Sequence, residues 1–179
     1  MTEASDRSTS PRAVDSWRFS GSFLKSMLSR MIPAAPFAGE IPWTPVAKPL
    51  SECRVALLSS AGLSMRGDPP FDMEFERQNP TRGDHGWRRL PAEASERDVV
   101  AHHLHIDTGY IERDLGVALP LAILKNLAEE GVIGSVAPSH YSIMGFQGND
   151  PSRLLEESAP AIAEAMRDER VDIALLAPV

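Results

Sequence analysis

Apolar and polar positions divide this chain into three stretches. Residues 1–16 are polar, rich in Ser, Thr, Asp and Arg, and read as a disordered leader. From Trp17 onward, Phe19, Phe23, Leu24, Met27, Leu28 and Met31 recur at helical spacing, so 17–40 reads as an amphipathic helix and its linker. From Ile41 to Val179 short apolar runs alternate with helical patterns. Pro42, Pro45 and Pro49 remove donors and fix φ, which makes an extended arm into a first strand, Arg54 to Ser59. Ser60-Ala61-Gly62 closes that strand with small residues. From 65 to 98 there is no periodicity and four prolines intervene, the pattern of a long loop or lid. Val99 to Ile106 forms a second strand. Pro120 opens and Gly131 stops a helix whose apolar face carries Leu121, Leu124, Leu127 and Ala128. Val132 to Val136 is the next strand, Ser158 caps a helix with Ile162, Ala165 and Met166 inward, and Val171 to Leu176 is the last strand.

Strands alternating with helices predict an α/β domain over 41–179, with a doubly wound, largely parallel, three-layer sheet. Right-handed crossovers would bring Ser60, Val136-Ala137-Pro138 and Ala177-Pro178-Val179 to one edge, the crevice where such sheets bind ligands. An apolar strand running into Ala177-Pro178-Val179 is an unusual place for a domain to finish. The expectation is that the domain is incomplete at Val179, and that the final strand leaves an edge suited to a homo-oligomer.

A net charge of -7 with dispersed arginines argues against a nucleic-acid partner. No apolar run is long enough to span a bilayer, and Ser20, Ser22, Lys25, Ser26 and Ser29 interrupt any signal-like core, which points to the cytoplasm. Cys53 is the single cysteine, so the chain holds no disulfide, no Cys-x-x-Cys couple and no cysteine zinc site.

His103, His105 and Asp107 alternate on the second strand, neighbours on one face about 6.6 Å apart. They suit metal ligation, acid/base work or plain packing, and a metal-dependent hydrolase or lyase is the alternative they support. His102 points the other way and reads as structural. Ser135 lies near the end of the third strand and Ser139, His140 and Tyr141 follow it, where they offer hydroxyls and a general acid, unless Tyr141 simply packs inward. Arg89, with Arg88, lies in the long loop as a carboxylate clamp or a solvated pair. His140 or Tyr141 is read as the proton donor and His103, His105 and Asp107 as crevice residues. Ser60, Gly62, Arg89, Ser135 and Ser139 bind a small polar substrate, and no metal ligand is assigned.

Val46 to Cys53 with its strand, Ala61-Gly62, Asp68-Pro69-Pro70-Phe71 and His103-Leu104-His105-Ile106-Asp107 resemble the selenoprotein B family of glycine, sarcosine, betaine and D-proline reductases, in its short form. The most specific stretch is Leu127 to Tyr141, joined by Ala159 to Ala163 and Val171-Asp172. The resemblance runs from about Ile41 to Val179 and leaves the leader helix unexplained. It implies an oxidoreductase that cleaves a carbon–nitrogen bond reductively or works through a thiol or selenoprotein redox partner. It also implies a selenocysteine, or a cysteine in its place, immediately after Val179, so that the 179 residues by themselves lack the nucleophile and are inactive. A non-catalytic interaction module is the remaining alternative.

Overall fold

A strand whose consecutive residues are nearly all apolar needs cover on both faces, and Val55-Ala56-Leu57-Leu58 receives it. The chain divides into two units, Met1–Trp43 and Thr44–Val179. The computed structural model describes residues 21–23, 26, 44–79, 83–104, 106–148 and 150–179. Of the first unit, Ser22, Phe23 and Ser26 are helical and exposed. The leader and the rest of the amphipathic stretch lie outside the described residues.

The second unit runs β1 (Arg54–Ser59), β2 (Leu63–Met65), α1 (Met73–Gln78), β3 (Trp87–Pro91), β4 (Val99–Ala101), α2 (Gly109–Arg113), α3 (Leu121–Glu129), β5 (Ser135–Val136), β6 (Ser139–Ile143), α4 (Ala159–Asp168) and β7 (Ile173–Ala177). A π-helical turn, Leu154–Ser158, leads into α4. β1 is the centre of a mostly parallel sheet. It pairs in parallel with β5 and β6 along one side and with β7 along the other, from Val55↔Ile173 to Ser59↔Ala177. β3 adds an antiparallel edge on β6, and β2 pairs with β4 in a separate antiparallel ribbon.

Alternation along β1 sorts the core. Val55 and Leu57 pack with Leu121 and Leu124 of α3 and with Ile133, whereas Ala56 and Leu58 pack with Ile162, Ala165 and Met166 of α4 and with Tyr141. Pro120 precedes α3 and Gly131, at φ +73°, ends it, as the sequence indicates. β7 is the outer strand on its side of β1 among the described residues, with Leu175 and Leu176 exposed.

Four elements depart from the sequence reading. The stretch 65–98 is not an unstructured lid, because it contains α1 and β3. Trp87, Leu90 and Pro91 sit on β3, and the polar neighbours Arg88 and Arg89 hid that short strand from a periodicity argument. The strand beginning at Val99 ends at Ala101, so the alternation that put His103, His105 and Asp107 on one strand face does not hold. The strand placed at 132–136 starts at Ser135 and resumes as β6 through Ile143. Pro138 lacks an N–H and reads as a stop, yet here it only bulges the line: Val55 to Leu58 advances three steps against five from Val136 to Tyr141. Finally, Ser158 is already helical and makes no cap. Its Oγ donates to the His85 carbonyl at 2.5 Å, and Asp150 accepts from Ser152 at the helix start instead.

Candidate functional site

The parallel register brings three strand tips together. Ser59 lies opposite Ser142 of β6 and Ala177 of β7, so Ser60, Ile143 and Ala177 mark the C-terminal edge. Ser60 donates its N–H to Ala177 O at 3.2 Å, and its Oγ accepts the Val179 N–H at 2.9 Å. Gly62 sits at φ +63° and donates to Ile143 O at 3.0 Å. A Cβ there would collide with the His102 carbonyl oxygen and with Met144 Sδ, so only glycine lets β2 turn so tightly past the edge. The amides of this turn are spent internally: Ser59 Oγ accepts from Ala61 N–H and Ser142 Oγ from Leu63 N–H.

Gly62 O in turn accepts the His102 N–H at 2.9 Å, which fixes His102 beside the same edge. Its ring is 2.9 Å from Ser64 Oγ through Nε2, and it lines an open cleft of about 490 Å³ together with Pro70, Phe71, Asp72, Met73 and Glu74. Arg88 braces that cleft. It donates to the Pro69 and Pro70 carbonyls at 2.8 and 2.7 Å, and its guanidinium lies 4.2 Å from the Phe71 ring centre. Burial, and secondarily the Arg88 charge, push the His102 imidazole below its ordinary range, so it is neutral near pH 7. His102 was read as structural because nothing in its local sequence shows the pairing; Ser64 is 38 residues away and reaches it only through the β2–β4 ribbon.

His140 and Tyr141 stand elsewhere. Both are fully buried within β6, not on a loop, because β6 continues the line that Pro138 interrupts. His140 Nδ1 accepts the Leu57 N–H at 2.9 Å, filling the gap that the bulge leaves in the β1 ladder. Among the described residues its Nε2 has no hydrogen-bond partner, and burial lowers its pKa to about 4. Tyr141 packs against Trp87 at 5.8 Å between ring centres; burial first, then the Glu169 carboxylate, push its phenol up. Arg89 projects from β3 over Tyr141 and pairs with Glu169 at 3.5 Å, so it is committed within the fold, not carried on a lid. Ser135 receives Arg54 Nε at 3.4 Å at the opposite end of β1, and Ala137 N–H bonds Val55 O there. That end is where Val136-Ala137-Pro138 lies, and the expected gathering of that turn at the C-terminal edge is overturned. Ser139 is buried at the start of β6.

Asp107 accepts the Gly109 N–H at 3.0 Å at the entry to α2, His103 is half-buried, and His105 lies outside the described residues. Among the described residues no three His, Cys, Asp or Glu side chains gather in a way that could hold a metal ion. Cys53 is fully buried just before β1, its Sγ donating to Pro49 O at 3.3 Å. No described helix is long and apolar enough to cross a membrane.

Residues 31–178 match the family model described as glycine/sarcosine/betaine reductase selenoprotein B. The chain belongs to this family. The D-proline reductase subunit gamma of Acetoanaerobium sticklandii is 35% identical over 134 residues, 75% of this chain and 52% of that protein. The glycine reductase complex component B subunit gamma of Symbiobacterium thermophilum is 27% identical over 159 residues, 84% of this chain and 36% of its own. The sarcosine reductase complex component B subunit beta of Peptoclostridium acidaminophilum is 26% identical over 111 residues, 62% of this chain and 24% of its own. The chain thus spans about half the length of the first of these relatives and less of the other two. No solved structure matches it. The family match covers β1 to β7 and the Gly62 turn, so it includes the edge described above.

Proposed function

We propose that this protein is a selenol- or thiol-dependent oxidoreductase, a substrate-handling subunit for reductive cleavage of a carbon–nitrogen bond in a small polar molecule of the glycine, sarcosine, betaine or D-proline type. The observation that carries the reading is the family match over residues 31–178, which includes every strand of the sheet. In this reading the sheet is the doubly wound, three-layer core of the catalytic domain, and the C-terminal edge around Ser60 and Gly62 is where substrate meets the reactive group.

That group is not Cys53. Its thiol is buried and directed at the Pro49 carbonyl, at the start of β1, away from the edge. In this reading the nucleophile is a selenol or thiol other than Cys53, and when present it supplies the electron-rich chalcogen. The residues of this chain do the positioning. Ser60 fixes the Val179 backbone, and Gly62 brings the β2–β4 ribbon against the edge. His140 and Tyr141 hold β6 against β1 and α4 from within.

The test is turnover by the protein expressed from its own gene, in a host able to insert selenocysteine. It is supplied with a dithiol reductant and each of glycine, sarcosine, betaine and D-proline, with the released amine or the ring-opened amino acid measured. Chalcogen-dependent turnover of one substrate supports the reading. Absence of turnover for all four, in a preparation that binds none of them, contradicts it.

A further inference from the structure

A neutral imidazole half-exposed in a cleft, with one ring nitrogen tied to a buried hydroxyl, is arranged to meet a ligand with the other. His102 has that arrangement. Ser64 is only 1% exposed, and its Oγ sits 2.9 Å from His102 Nε2, so one hydrogen bond fixes the ring's rotation and leaves Nδ1 the complementary role. Phe71 lines the same cleft and is 1% exposed, its ring centre 6.1 Å from that of His102, and its other contacts include the Arg88 guanidinium, which donates to two carbonyls. The backbone places this cleft beside the strand tips, because His102 N–H bonds Gly62 O and Gly62 N–H bonds Ile143 O.

We propose that His102 is a substrate-facing residue of this protein, hydrogen-bonding a small polar molecule in the cleft floored by Phe71, and that Ser64 is its positioning residue. The inference rests on the reductase reading above and adds to it the side chain that meets the substrate. The ligand is small, since the cleft holds about 490 Å³ and opens to solvent. It offers a hydrogen-bonding group to the imidazole, while the carboxylates of Asp72 and Glu74 line the same opening.

The experiment is a titration of the protein, expressed from its own gene, with glycine, sarcosine, betaine and D-proline in turn, following the imidazole ring nitrogens by long-range ¹H–¹⁵N spectra. The expected result is a saturable shift of the His102 ring with at least one probe. Ser64→Ala should weaken that probe's binding about tenfold, Ser64→Thr should restore most of it, and all variants should keep the wild-type urea midpoint within a few tenths molar. Saturable binding that moves other resonances and leaves the His102 ring unmoved overturns the role of His102 and spares the reductase reading. Equal affinity in wild type and Ser64→Ala overturns the positioning role of Ser64. Failure of every probe to bind overturns the reductase reading and the inference with it.

Discussion

Replacing His140 should cost stability before it costs anything else. The ring is fully buried, and its Nδ1 is the acceptor for the Leu57 N–H in the middle of β1. His140→Ala orphans that N–H, worth about 1–3 kcal/mol, and leaves a ring-sized cavity, worth about 2–3 kcal/mol more. The combined loss, about 3–6 kcal/mol, is a large fraction of the stability of an ordinary domain. His140→Asn should lose only about 1–2 kcal/mol, because its amide oxygen can take the place of Nδ1 and keep the Leu57 bond. The same residue carries a pH signature. Its pKa is about 4 in the folded chain against 6.5 when unfolded, so on acidification the unfolded chain takes up the proton first. The contribution is whole above pH 6.5 and falls away as pH drops toward 4, by up to about 3 kcal/mol at 1.36 kcal/mol per unit. Urea unfolding followed by circular dichroism at pH 7.5, 6 and 5 measures both effects, and the difference between wild type and His140→Asn removes what the other titrating groups contribute. If His140→Ala is within about 1 kcal/mol of wild type, or if the Asn variant loses stability in parallel with wild type over that window, the structural role assigned to His140 is wrong.

Arg170 follows α4 at φ +57°, where an L side chain is strained, and Val171 N–H closes the turn onto Met166 O. Arg170→Gly should therefore raise unfolding free energy by about 0.5–1 kcal/mol, read as a higher urea midpoint. Gly62→Ala should have the opposite sign and cost at least about 2 kcal/mol, because the added methyl meets the His102 carbonyl and Met144 at a positive φ. Cys53 should resist a thiol-specific reagent in the native protein and react on unfolding, and rapid native-state labelling would refute its burial.

The central strand was legible because its residues are apolar on both faces, and α3 because Pro120 and Gly131 bracket a clear stripe. β7 was legible for the same reason as β1. What could not be read was pairing between distant residues. β3 announces itself only by lying against β6, with Leu90 opposite His140. Pro138 looked like the end of a strand, since its missing N–H ends most ladders, and nothing nearby in sequence shows that the His140 ring supplies the acceptor two residues later. That one misreading moved His140 and Tyr141 from the core to an imagined loop, and with them the candidate proton donor. The position of Ser60 and Gly62 at the turn after β1 was legible because a turn of small residues after an apolar strand is a local signal. Ser64 and His102 carry none.

The most direct test of the account is alkylation of the native protein, expressed from its own gene and reduced beforehand, with iodoacetamide, read as turnover of glycine, sarcosine, betaine and D-proline with a dithiol reductant. The expected result is that alkylation abolishes reduction of whichever substrate is turned over, because the reactive group is a selenol or thiol. Turnover that survives complete alkylation of every accessible selenol and thiol would contradict it.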